Sequence, residues 1–174
     1  LGWTLSLPSE DRYLVSKAEL EDQLAQILGG RCAEELILGE NYITTGASDD
    51  IRKATQLARK MVTEWGMSDK LGPLTFGTKE ELVFLGRDLG EQRNYSEDIA
   101  SEIDQEVHHL VETAFQKAKE VLRPREHILR ALAARLIEVE TMEAAEMKTM
   151  IAAFEGAPPV VADGETAAEA AAGA

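Results

Sequence analysis

The chain has 174 residues, 44% of them hydrophobic, which suits one domain with a true core and is too apolar for a disordered chain. Its 32 acidic residues against 18 basic ones leave a net charge of −14, which repels phosphate backbones and anionic lipid and argues against nucleic-acid binding. Cys32 is the single cysteine, so neither an intrachain disulfide nor a cysteine-built zinc knuckle is available, and no apolar run reaches the roughly 18 residues of a membrane helix. The composition reads as a soluble, acidic domain of a reducing compartment.

The chain opens on Leu1-Gly2-Trp3-Thr4-Leu5-Ser6-Leu7-Pro8, with large apolar side chains at every second position. That period predicts a half-buried strand ended by Pro8, and a strand without an earlier partner leads us to expect a fragment. After a turn through Ser9-Glu10-Asp11-Arg12, the capping box Ser16-Lys17-Ala18-Glu19 opens a first helix. Its apolar stripe is Leu20, Leu24, Ile27, Leu28, Cys32 and Leu36, with Gly39 as the stop. Gly29-Gly30 costs about 1 kcal/mol per glycine within a helix, so either the helix breaks there or another backbone packs closely against it.

Ile43-Thr44-Thr45-Gly46-Ala47-Ser48 reads as a polar loop, followed by a second helix from about Asp49 to Trp65 with Gly66 closing it. Its apolar face is Ile51, Ala54, Leu57, Ala58, Met61, Val62 and Trp65. Between Gly72 and Gly90, Leu74-Thr75-Phe76 and Leu82-Val83-Phe84-Leu85 predict a small hairpin. Ser96 caps a long third helix with the stripe Ile99, Ile103, Val107, Leu110, Val111, Ala114, Ala118 and Val121. Pro124 should end it by excluding the helical conformation at Arg123. A fourth helix (Ile128, Leu129, Leu132, Leu136) and a fifth (Met147, Met150, Ile151, Phe154) follow. The Ala-, Gly- and acid-rich residues 155–174 read as a disordered tail. The expected fold is mainly α with a minor β component, carried by residues 1–154.

Candidate chemistry is sparse. His108 and His109 are adjacent on a helix, so their side chains point about 100° apart and do not converge on one ion. With His127 in the next helix, all three histidines read as surface or helix-end residues. The chain contains no HExxH, CxxC, glycine-rich phosphate loop or GxSxG. Asp49 and Asp50 place two carboxylates at the start of the second helix, where the macrodipole favours negative charge by about 0.3–1 kcal/mol. From spacing alone they either cap that helix or supply a carboxylate to a metal completed from elsewhere. Glu34 and Glu35 face either solvent or a neighbouring site.

The order and spacing of several segments decide further. Leu1-Gly2-Trp3-Thr4, Leu7-Pro8, Glu10-Asp11-Arg12-Tyr13-Leu14, Gly29 to Glu35 and Thr45 to Ile51 form one linear series. It continues through Ala54-Thr55-Gln56-Leu57-Ala58-Arg59, Met61-Val62-Thr63-Glu64-Trp65-Gly66-Met67-Ser68, Leu71-Gly72-Pro73-Leu74, Phe84-Leu85-Gly86-Arg87 and Ile103-Asp104-Gln105-Glu106-Val107. This series resembles the protease domain of the FtsH family of membrane-bound, ATP-dependent zinc metalloproteases, over nearly all of residues 1–154.

The resemblance implies a helical metallopeptidase domain without its N-terminal HExxH helix. In that family two histidines and a distant aspartate hold Zn2+, and the aspartate's position matches Asp50, with Asp49 beside it as a second carboxylate. Glu34 matches an acidic residue that lies near the zinc site, and we expect it to orient a ligand there. Gly2, Trp3, Thr4 and Leu5 match an edge strand that would bind unfolded protein substrates by main-chain pairing. No catalytic residue lies in this chain, because the general base belongs to HExxH, so the isolated chain is expected to be inactive. ATP and Mg2+ would be bound by an ATPase module absent from these residues. The parent is expected to be a homo-hexamer attached to a membrane through an N-terminal segment. Its expected location is a bacterial inner membrane, with the protease on the cytoplasmic side, or an organelle membrane in a eukaryote. The alternatives are a non-catalytic paralogue serving as a scaffold subunit and an unrelated helical binding module.

Overall fold

The computed structural model describes residues 14–77 and 94–156. The expected first strand, the Ser9–Arg12 turn, the Leu82–Leu85 arm of the hairpin and the tail beyond Gly156 lie outside the described residues. Two compact units divide at Glu126/His127.

The first unit is built on three helices, α1 (Lys17–Leu38), α2 (Ser48–Thr63) and α3 (Glu97–Leu122), each packed against the other two. The α1 helix begins as its capping box predicts. The Glu19 amide donates to Ser16 Oγ at 3.3 Å, and the Ser16 amide donates to Glu19 Oε2 at 2.8 Å. Leu20, Leu24, Leu28 and Cys32, spaced by four, are buried on one stripe. Burying each such leucine stabilises the fold by about 1.5–3 kcal/mol relative to exposing it. Gly39, with φ at +86°, ends the helix and donates its amide to the Glu35 carbonyl. Neither expectation for Gly29-Gly30 holds. The helix runs unbroken through both, and among the described residues a Cβ on either would meet nothing within 4 Å. The neighbouring leucines and Cys32 hold the helix together through tertiary packing, which outweighs the local glycine cost.

The α2 helix buries Ala54, Ala58, Met61 and Val62 completely. Two alanines one turn apart leave room for close approach to its neighbours. Ile51 and Trp65, expected on the apolar face, are instead 42% and 45% exposed, because they fall at the two ends of the stripe. Gly66 turns the chain at φ +60°, and a Cβ there would lie 2.8 Å from Pro73 Cα. The returning loop is pinned to α3 by Ser68, a buried hydroxyl that donates to Glu106 Oε2 at 2.6 Å and accepts from the Leu71 amide at 3.0 Å.

Leu74-Thr75-Phe76 is not a strand. Its Phe76 amide bonds the Thr63 carbonyl at the end of α2 rather than a neighbouring strand. Among the described residues, β structure amounts to the isolated bridge Ser68–Gly72. Gly77 donates its amide to Asn94 Oδ1 at 2.9 Å, and the Phe76 and Tyr95 rings meet edge to face beside it.

The Ser96 side chain caps α3 as expected, and Ile103, Val107, Ala114 and Ala118 are buried, while Val121 is exposed. Pro124 does not expel Arg123 from helical space, as its φ of −54° and ψ of −50° show. The chain passes through a 3-10 turn, Arg123–Arg125, in which the missing proline N–H falls within the first turn and costs no bond.

The second unit contains most of α4 (Glu126–Val139) and α5 (Ala144–Glu155). Arg135 Nε donates to Glu146 Oε1 at 2.9 Å across the two helices, and the His127 ring meets Phe154 edge to face. Leu136 and Met147, expected in apolar stripes, are 46% and 40% exposed.

Candidate metal-ligand site

The segment between α1 and α2 is more ordered than a polar loop. It contains two 3-10 turns, Glu40–Tyr42 and Thr45–Ala47, and the second runs directly into α2 at Ser48. Thr44 stands at the entrance of that turn. Its hydroxyl accepts the Gly46 amide at 3.1 Å and donates to Glu34 Oε1, 2.5 Å away on α1. Glu34 is thereby joined to the strand of chain that leads into Asp50.

Asp49 and Asp50 lie in the first turn of α2, but neither is its cap. That place belongs to Ala47, which makes no side-chain capping bond. The two carboxylates have different surroundings. Asp49 is 70% exposed and is held by Arg52 at 2.7 Å. Asp50 is 45% exposed, and its Oδ1 meets Lys53 at a longer 3.4 Å. Exposed ion pairs at this spacing contribute about 0–1 kcal/mol, so Lys53 is a weak competitor for the Asp50 carboxylate.

An anionic oxygen in a half-open position is a chemically suitable zinc ligand, but one carboxylate does not hold a catalytic zinc, which takes three protein ligands. Among the described residues no three His, Cys, Asp or Glu side chains come together. What the described residues offer here is a single half-exposed carboxylate, Asp50. Gly2, Trp3, Thr4 and Leu5 lie outside the described residues.

The adjacent glutamates point to different duties. Glu35, with its side chain only 13% exposed, meets Lys119 Nζ at 2.5 Å and Arg31 Nη1 at 3.3 Å. The Phe115 ring lies 4.6 Å from Lys119 Nζ. Cys32 is fully buried on the same stretch of α1, and desolvation pushes its thiol pKa up, partly offset by the positive charge of Lys119. A separate concavity of about 200 Å3 lies between α1, the Met67–Asp69 loop and α3. Three of its lining residues are paired locally, Lys17 with Asp69, Lys117 with Asp22, and Glu106 with the Ser68 hydroxyl.

Thr44 is the residue that motif reading missed. The signal was a weak one, since a threonine hydroxyl can accept the amide two residues on, less strongly than an aspartate or asparagine does. The Glu35 cluster had no comparable signal, because Lys119 comes from a helix remote in sequence.

The model of Peptidase family M41 matches residues 1–150. The chain belongs to that family. It is 52% identical over 147 residues to the ATP-dependent zinc metalloprotease FtsH 1 of Thermoanaerobacter sp. (strain X514), which covers 84% of this chain and 24% of that protein. It is 53% identical over 155 residues to the ATP-dependent zinc metalloprotease FtsH of Kosmotoga olearia, covering 89% of this chain and 24% of the relative. Against the Thermotoga maritima protein of the same name the identity is 47% over 151 residues, with 87% and 24% covered. The chain thus spans about a quarter of the length of the curated relatives it matches. As an M41 chain, it has the helical fold expected of it, and no described helix is long and apolar enough to cross a membrane.

Proposed function

We propose that this chain is the C-terminal portion of the peptidase domain of an ATP-dependent zinc metalloendopeptidase, and that Asp50 is its contribution to the zinc site. The observation that carries this reading is Asp50 itself. It stands in the first turn of α2, directly after the Thr45–Ala47 turn, within an M41 match that spans residues 1–150. The two histidines and the general base would come from an HExxH helix outside these 174 residues.

When bound, zinc supplies a Lewis acid and lowers the pKa of its water towards about 7. The part left to this chain is geometric and electrostatic. Asp50 presents an anionic oxygen from a helix start, a rigid mount that favours its charge. Glu34 holds the approach to α2 through Thr44. Gly2, Trp3, Thr4 and Leu5 would offer backbone groups to an extended protein substrate, regardless of its sequence. ATP and Mg2+ would act in a separate module that delivers unfolded chain. Assembly as a homo-hexamer, with attachment to a bacterial inner membrane and the protease on its cytoplasmic side, completes the proposal.

The test compares the 174-residue chain with the full-length gene product. The chain alone should cleave no casein with or without zinc. The full-length protein should cleave it in a zinc- and ATP-dependent manner, and Asp50→Asn should abolish cleavage while ATP hydrolysis persists. Zinc-dependent cleavage by the chain alone, or full activity of Asp50→Asn, would overturn the reading. A gene without two upstream histidines would overturn it as well, and would make a scaffold subunit the better description.

A further inference from the structure

We propose that Thr44 is a positioning residue, whose hydroxyl transmits the placement of Glu34 on α1 to the head of α2 and so sets where Asp50 presents its carboxylate. The inference rests on the reading of Asp50 as a zinc ligand and adds a residue to it.

The geometry leaves the hydroxyl one arrangement. A carboxylate has no proton to give and an amide N–H has no lone pair to offer. The Thr44 proton therefore points at Glu34 Oε1, 2.5 Å away, and a lone pair faces the Gly46 amide at 3.1 Å. A hydroxyl engaged as donor to an ionised partner and as acceptor from an amide makes two mutually reinforcing bonds.

Gly46 completes the device. A Cβ built on it would lie 3.2 Å from Thr44 Oγ1, so a side chain at that position would shift the hydroxyl by a few tenths of an ångström. One further bond, from the Ser48 amide to the Thr45 carbonyl, closes the turn and hands the chain to α2. Ala47 provides no side-chain cap, and the Thr44 hydroxyl ties the turn that leads into this helix to α1. The path from Glu34 to Asp50 is thus short and made of bonded steps. A displacement of the turn moves Asp50 with it, because both belong to one continuous backbone segment.

The experiment uses the full-length gene product with Thr44→Val, Thr44→Ser, Gly46→Ala and Asp50→Asn. Zinc affinity is measured by competition with a chelator in the absence of substrate, and amide hydrogen exchange of residues 46–51 is followed in the metal-free protein. Supporting groups of metal ligands typically contribute 10–100-fold to affinity. Thr44 acts one step further from the ligand, so Thr44→Val should weaken zinc binding by up to about tenfold and accelerate exchange at Gly46 and in the first turn of α2. Thr44→Ser, which keeps the hydroxyl, should restore both, and Gly46→Ala should change both by less than Thr44→Val and in the same direction. Faster exchange in Thr44→Val with unchanged zinc affinity would overturn the proposal and leave Asp50 as a ligand. Unchanged zinc affinity in Asp50→Asn would instead overturn the ligand reading, and the positioning role with it.

Discussion

Lys119 Nζ lies 2.5 Å from Glu35 Oε1, joining the last turns of α3 to α1 over the face of the Phe115 ring. Next to Glu34, which reaches outward to the loop, Glu35 thus turns inward and ties two helices. Two adjacent glutamates on a helix point about 100° apart, so one pair of identical residues serves two structural ends.

Glu35→Ala should be costly for stability. It leaves Lys119 and Arg31, whose side chains are 19% and 17% exposed, as two cations without their shared anion. Breaking a largely buried pair from one side costs about 3 kcal/mol. Lys119→Met should cost less, because Arg31 still faces Glu35 and the methionine keeps the contact with Phe115. Urea unfolding followed by circular dichroism would rank the two, and a smaller effect for Glu35→Ala would contradict the arrangement.

Cys32 should be inert in the folded protein. Burial raises its thiol pKa above the ordinary 9.0, so the protonated form is the one the fold favours. Its contribution to stability is then complete below that ordinary value and is lost as pH rises towards the folded value. Iodoacetamide should modify Cys32 at the rate of unfolding, and Cys32→Ala should show a shallower loss of stability above pH 9.0. Rapid alkylation under native conditions would show that the thiol is reachable.

Gly29 and Gly66 should respond in opposite directions to alanine. A Cβ at Gly29 meets nothing within 4 Å among the described residues, so Gly29→Ala should gain about 1 kcal/mol of helix propensity. Gly66 has φ at +60° and Pro73 Cα 2.8 Å from the Cβ position. Gly66→Ala should lose at least about 2 kcal/mol from backbone strain and collision together. Thermal melts of the two variants should move apart around the parent value.

Asp69 should titrate below its ordinary value of 3.8, because Lys17 donates a hydrogen bond to its carboxylate and adds a favourable charge. A depressed pKa contributes stability above the unfolded value and loses it as pH falls through the folded value. Carbon-detected NMR titration should therefore place Asp69 below 3.8, and Lys17→Met should raise it towards that value. An unchanged midpoint in Lys17→Met would sever the assigned cause.

Local chemistry was readable in advance wherever it acts through neighbours in sequence. Ser16 and Glu19 formed the capping box that their spacing predicted, Ser96 capped α3, and Gly39 ended α1. The stripes of α1 and α3 were legible because a period near 3.6 places the same side chains inward whatever the helix packs against. The misreadings all involve the opposite case. Gly29-Gly30 pointed to a break or to a close backbone contact, yet helix continuity is decided by the packing of the residues around it. Arg123 before Pro124 remained helical because a 3-10 turn received the proline, and Leu74–Phe76 docked on the end of α2 instead of pairing as a strand.

The candidate site divides along the same line. Composition and periodicity determined a mainly helical chain with Asp50 at the start of a helix, and the run of motifs carried its resemblance to the FtsH family, since those features are local or linear in the sequence. Only the tertiary structure decided that Glu34 reaches Thr44 and that Lys119 closes over Glu35 beside the Phe115 ring. Hydrogen bonds and ion pairs act over a few ångströms, and which side chains come that close depends on how helices pack, a relationship that no spacing along one chain segment encodes.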